Sequence, residues 1–192
     1  RNKIYIFEPN PKIFKKHLIP IKKKYKNIFL KNFALGHKNT TKDLFIPYYE
    51  NEAIHYFGSF DKQYIYNSIK MTFPNIISKI KLKKKKISIN KFDDLNLKIK
   101  PHFIKIDVEG YDHYVLRGLL KTIKKFKPIF LIEYNQENFF EIKKYLKEYD
   151  NYIYDIRLDK LIKFKKKSFN NKISRSSKTN LLSSRNIYFV PK

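Results

Sequence analysis

The sequence predicts an α/β fold: a mostly parallel sheet with helices on both faces. Three observations carry that expectation. From residue 103 onward, short apolar runs alternate with segments whose apolar residues recur at helical spacing. The run IFLIE (129–133) is apolar until its last residue, as in a strand buried on both faces. Three of the expected strands end in a carboxylate, at Glu8, Asp107 and Glu133. Ligands of open parallel sheets bind beyond the carboxyl ends of the strands, so these residues mark the expected site. Each of the three can instead serve only to cap the turn or helix that follows.

Taken in order, KIYIF (3–7) is a short strand that stops at Glu8. Asn10-Pro11 then opens a helix, because Asn is a good N-cap and Pro is favoured at the first helical position. Ile13, Phe14 and Leu18 share one face, and Pro20 ends or kinks the helix. NIFLKNF (27–33) is a second strand. DLFIPYY (43–49) is a third, with Pro47 arguing for an edge position. Gly58-Ser59 marks a loop. KIKLKKKKISI (79–89) reads as an exposed strand pair or extended arm, since lysines on an edge block unwanted pairing. NKFDDL makes a turn or short helix. FIKID (103–107) is a strand. The helix that follows Gly110 carries Val115, Leu116, Leu119, Leu120 and Ile123 on its apolar face. A helix over 137–148 presents Phe140, Ile142, Tyr145 and Leu146. NYIYDI and NIYFV are further strands, and 163–185 is a flexible polar loop between them.

One domain accounts for 192 residues, which are enough to bury roughly 70% of the unfolded surface. No cysteine is present, so there is no disulfide framework and no thiolate nucleophile or metal ligand. No apolar run approaches the length of a transmembrane span, and no signal-peptide core stands at the start. The net charge is +26, almost all of it from lysine; arginine occurs five times. Such a balance suits a polyanion-binding surface. It better suits the codon drift of an A/T-rich genome, which favours Lys, Asn, Ile, Phe and Tyr over Ala and Gly. Scarce arginine argues against nucleic acid, whose phosphates and bases are read bidentately by guanidinium groups.

The ordered set EPNP (8–11), NFALG (32–36), Gly58-Ser59, KFDDL (91–95), FIKIDVEGYDHYVLRG (103–118), KPIFLIE (127–133) and NIYFVPK (186–192) resembles FkbM-type methyltransferases along essentially the whole chain. The central motif is the specific part, and it departs mainly at Asp112, where the family has Glu. The resemblance implies a Rossmann-like class I methyltransferase that uses S-adenosylmethionine (SAM) to methylate an oxygen, often on a sugar of a surface polysaccharide or glycolipid, in the cytoplasm. It implies that Glu8 accepts hydrogen bonds from the ribose hydroxyls, that Asn10 lies in the cofactor site, and that Asn32, Ala34 and Leu35 lie beside the adenine. Asp107 and Glu109 would face the donor methyl and the acceptor. The family also begins with a strand and a loop of the type D-x-G-A-N-x-G. Only two residues precede Lys3 here, and all four glycines have other places. The expectation is therefore an amino-terminally truncated member, without its first strand and glycine-rich loop, that binds SAM weakly or not at all.

Transfer to a hydroxyl needs a base for its proton. Asp107 or Glu133 is the expected base, with Glu109 orienting the acceptor or holding a metal. Two or three carboxylates could hold Mg²⁺, but nothing in the pattern requires a metal. Lys105 either neutralises these carboxylates or runs its stem past the sheet end into water. His113 is expected to pack or face solvent. Tyr48, Tyr49, Tyr56 and Phe57 are either sugar-stacking or core aromatics. The rival from another class is a non-catalytic basic binding module on a methyltransferase-like fold.

Overall fold

The computed structural model describes residues 2–134, 136–156, 158–164 and 186–192. Of the expected loop 163–185, only Lys163 and Phe164 fall among them. The chain divides into two compact units, Arg1–Asn96 with Val108–Leu119, and Leu97–Asp107 with Leu120–Lys192.

In the first unit, β1 (Ile4–Phe7) pairs in parallel with β2 (Ile28–Lys31). Between them the helix runs from α1 (Pro11–Ile13) through a π-helical turn (Phe14–Leu18) into α2 (Ile19–Lys24). Pro20 does not end it. Proline removes one N–H and crowds the carbonyl four residues back. The wider turn just ahead, closed by Ile19 N–H donating to the Phe14 carbonyl, absorbs that defect.

A four-stranded sheet has the order β3 (Ala34–Gly36), β6 (Lys81–Lys91), β4 (Thr40–Tyr49), β5 (Glu52–Ala53). The lysine-rich segment is thus one long strand rather than a strand pair or arm, antiparallel to β4 over nine residue pairs. Its lysines at 81 and 83–86 are exposed, while Ile87 and Ile89 are buried. Nor is β4 an edge strand. The Pro47 carbonyl accepts from Ile54 N–H on the β5 side. N–H and C=O of one strand residue point the same way, so the missing proline donor also points away from the β6 ladder. Phe57, Ile65, Ile69 and Ile80 form a core beneath this sheet, with Phe45 and Leu82 packed on it. Ile65 and Ile69 lie four residues apart on α3 (Lys62–Thr72), whose N-cap Asp61 accepts from Gln63 and Tyr64 N–H.

The single helix expected after Gly110 is two: α4 (Asp112–Arg117) and α5 (Leu120–Phe126). Val115, Leu116 and Leu119 are buried as expected, but Leu120 is exposed. The break falls at Gly118, whose backbone presses on β3. A Cβ there would lie 2.0 Å from the Gly36 carbonyl oxygen. No side chain fits that approach.

The second unit holds a five-stranded sheet of order β10 (Lys160–Lys163), β9 (Tyr149–Asp155), β11 (Asn186–Pro191), β8 (Ile129–Glu133), β7 (Phe103–Ile106). The mostly parallel sheet of the sequence reading becomes mixed. Among the described strands of this sheet only β7 and β8 pair in parallel; β11 enters antiparallel between β8 and β9, and β10 turns back on β9. Phe130, Ile132, Ile187 and Phe189 are almost wholly buried on the two middle strands. The alternation of burial along β8 also replaces the uniform burial expected of IFLIE. On α6 (Gln136–Tyr145) the buried stripe runs through Phe139 and Ile142 to Leu146 just beyond it, whereas Phe140 is exposed.

Candidate functional site

In the second unit, β7 and β8 lie side by side with Ile106 paired to Ile132. Asp107 and Glu133 each follow one member of that pair, at the carboxyl ends of adjacent parallel strands. Strand spacing is about 4.8 Å, so the two carboxyl-bearing residues are immediate neighbours along the sheet end. Lys105 Nζ donates to Asp107 Oδ2 at 2.8 Å, and both side chains are about half exposed. Two residues apart on an extended segment, these side chains leave on the same side. Lys105 is tolerated because β7 is the outermost strand of its sheet among the described residues.

Glu8 and Glu109 belong to the first unit, so the three carboxylates at strand ends are divided between two sheets. Glu8 stands just past β1, where Oε1 accepts the Asn10 N–H at 2.6 Å. Burial pushes the Glu8 carboxyl above its ordinary value, and the Asn10 N–H pulls it partway back. Asn10 is 3% exposed and works as the N-cap expected of it, Oδ1 accepting Lys12 N–H at 3.0 Å. Its Nδ2 meets His55 Nδ1 at 3.1 Å. Asn32 Nδ2 donates to the Glu8 carbonyl at 2.8 Å and the Pro9 carbonyl at 3.3 Å, tying the end of β2 to this segment. Ala34 is buried in β3, paired with Ile89, and Leu35 is paired with Asn90.

Glu109 and Gly110 make a turn within the first unit, just ahead of α4. Glu109 has φ 48° and Gly110 φ 87°, in a turn closed by Tyr111 N–H donating to the Val108 carbonyl. A non-glycine residue there costs roughly 1 kcal/mol or more and is held by its surroundings. Ser59 Oγ, itself buried, donates to the Glu109 carbonyl at 2.8 Å and accepts Asp61 N–H. Ser59 of the Gly58-Ser59 loop therefore braces the turn of the central motif. His113 stacks beside Tyr114, with centroids 3.9 Å apart. Of the four aromatics, Phe57 is core, Tyr49 packs on it, Tyr56 is exposed, and Tyr48 lies under Lys83 at 4.2 Å.

Sequence reasoning missed His55 and the bracing role of Ser59. A lone histidine in an irregular stretch carries no spacing signal, and its partner lies 45 residues away. Among the described residues no three His, Cys, Asp or Glu side chains group as a metal site.

The family model described as the methyltransferase FkbM domain matches residues 1–154. The chain belongs to the FkbM methyltransferase family. A crystal structure of methyltransferase FkbM from Methylobacillus flagellatus KT is similar in fold, with a TM-score of 0.53 and 14% identity. The match covers 98% of this chain and 36% of that one, so this FkbM-family chain spans about a third of that protein's length. At this identity the likeness concerns fold alone. No curated protein matches the chain. No helix among the described residues is long and apolar enough to cross a membrane.

Proposed function

We propose that the natural protein containing this chain is a SAM-dependent methyltransferase that methylates a sugar hydroxyl during polysaccharide or glycolipid synthesis in the cytoplasm. The observation that carries this reading is the pair Asp107 and Glu133, adjacent at the ends of two parallel strands. One carboxylate removes the hydroxyl proton while its neighbour or Glu109 orients the acceptor. Lys105 fixes the direction of the Asp107 carboxylate. The residues near Glu8 suit the cofactor: a ribose diol is bound by a carboxylate that accepts both hydroxyls, and Glu8 is one anchored by its own loop. Asn32, Ala34 and Leu35 would border the adenine, with Asn32 keeping its amide hydrogens on the loop carbonyls. Bound SAM supplies a sulfonium methyl, so catalysis consists largely of alignment and proton removal. With no group of three metal-ligating side chains among the described residues, no step is assigned to Mg²⁺.

Labelled methyl transfer to glycan acceptors tests this reading. Transfer by the natural protein that collapses in Asp107→Asn and Glu133→Gln supports it. Full transfer by the double variant overturns it. The exposed lysines of β6 favour a second reading, a polyanion-binding module. Salt-dependent retention on an anionic polymer, with no methyl transfer, would select that reading.

A further inference from the structure

The hydrogen-bond polarity around Asn10 reaches beyond the roles above. Asn10 caps the helix through Oδ1, which accepts Lys12 N–H at 3.0 Å. That fixes the orientation of the amide, and its nitrogen is what meets His55 Nδ1 at 3.1 Å. An amide nitrogen only donates, so His55 Nδ1 must carry its lone pair. A proton on Nδ1 would set two donors face to face. Reversing the amide would only move the conflict, because Nδ2 would then oppose Lys12 N–H and the cap would be lost. The same Asn10 supplies through its backbone N–H the 2.6 Å bond to Glu8 Oε1. One buried residue thus joins His55 to the carboxylate.

We propose that His55 is a positioning residue: its unprotonated Nδ1 holds Asn10, and through Asn10 it sets the direction of the Glu8 carboxylate for the cofactor ribose. The ligand half of this inference rests on the methyltransferase reading; the hydrogen-bond half does not. The groups facing His55 are Lys12 on α1 and Lys16 and His17 on the π-helical turn, all basic, with Glu8 two hydrogen bonds away. Burial first, and then those positive charges, hold the imidazole below its ordinary value, which keeps the lone pair in place at neutral pH.

The test compares the wild-type protein with His55→Asn and His55→Leu. Asparagine places an oxygen acceptor where Nδ1 stood and does not titrate; leucine removes the acceptor. Without ligand, protection of the Lys12 and Asn10 amides against hydrogen exchange should fall as wild type is acidified below about pH 6.5. It should stay flat in His55→Asn and be low at every pH in His55→Leu. With S-adenosylhomocysteine as the probe, wild-type affinity should weaken over the same interval and His55→Asn should remain level. His55→Leu should bind about five- to tenfold more weakly at pH 8. Protection or affinity in His55→Asn that follows pH as in wild type overturns the proposal, as does a His55→Leu protein with intact amide protection. Failure of the natural wild-type protein to bind S-adenosylhomocysteine at any pH counts against the methyltransferase reading instead, and the amide protection then decides the role of His55 alone.

Discussion

Asp107 and Glu133 stand at the same level on neighbouring parallel strands, each one residue beyond the paired Ile106 and Ile132. Two carboxyl-bearing residues so placed need not share one role: Asp107 is paired with Lys105 and exposed, and Glu133 is half-buried. In the proposed reaction, the amide variant of the base should lose about 10²–10⁴-fold in kcat, and that of its neighbour less than tenfold. Asp107→Asn should not alter stability by more than about 1 kcal/mol, because the Lys105–Asp107 pair is half exposed. Single-turnover kinetics beside urea denaturation of Asp107→Asn and Glu133→Gln check both statements. Equal, small losses in the two would remove either from the role of base.

Gly118→Ala should be among the most damaging small substitutions in the chain. The new methyl would meet the Gly36 carbonyl oxygen at 2.0 Å, and that oxygen is backbone with nowhere to turn. Relief requires α4 to move off β3, at a cost of about 3 kcal/mol or more. Urea midpoints measure it; a loss under about 1 kcal/mol would show that the two backbones are not in close contact.

Glu8→Gln should make the protein more stable and less able to bind its cofactor. The neutral amide no longer holds a charge in a partly buried place, and its oxygen can still accept the Asn10 N–H. A rise in Tm of about 2 °C is expected at neutral pH. Affinity for S-adenosylhomocysteine should fall at least tenfold as the charged acceptor of the ribose hydroxyls is lost. A lower Tm with unchanged affinity would contradict both halves.

Acid should weaken the first unit in a defined interval. Burial and basic neighbours lower the proton affinity of His37 and His55 in the folded chain. The unfolded chain then binds more protons below its ordinary histidine value of 6.5. Stability from the neutral rings is complete above that value and is lost as pH falls through the lower folded values. Glu8 acts oppositely. Its raised folded value is a penalty at neutral pH that disappears as pH falls towards 4.5. Denaturation between pH 7.5 and 5.5 should show declining stability, flattened in a His37→Gln, His55→Asn double variant. An unchanged slope in that variant would place the acid sensitivity elsewhere.

Local signals identified local features. Asn10-Pro11 read as a helix start because capping needs only adjacent residues, and the ends of β1, β7 and β8 read from apolar runs that stop at Glu8, Asp107 and Glu133. Whatever depended on distant partners did not show. The place of β11 between β8 and β9 is a pairing across tens of residues. The sequence does not reveal that β7, which carries Lys105, is outermost in its sheet among the described residues. Pro20 suggested a helix end because its accommodation depends on a π-helical turn with no sequence mark. Gly36 and Gly118 stand far apart in sequence, and nothing in it shows that their backbones meet.

Strand β11 has a consequence for synthesis of the protein. Residues 186–191 pair with both β8 and β9, which have no pairing with each other. While the ribosome is still short of residue 186, both strands must wait with one edge open. A nonsense codon in that interval would release a chain with two unsatisfied edges, the form most prone to join strands from other molecules. The sheet that presents Asp107 and Glu133 is therefore completed only in chains translated as far as this strand.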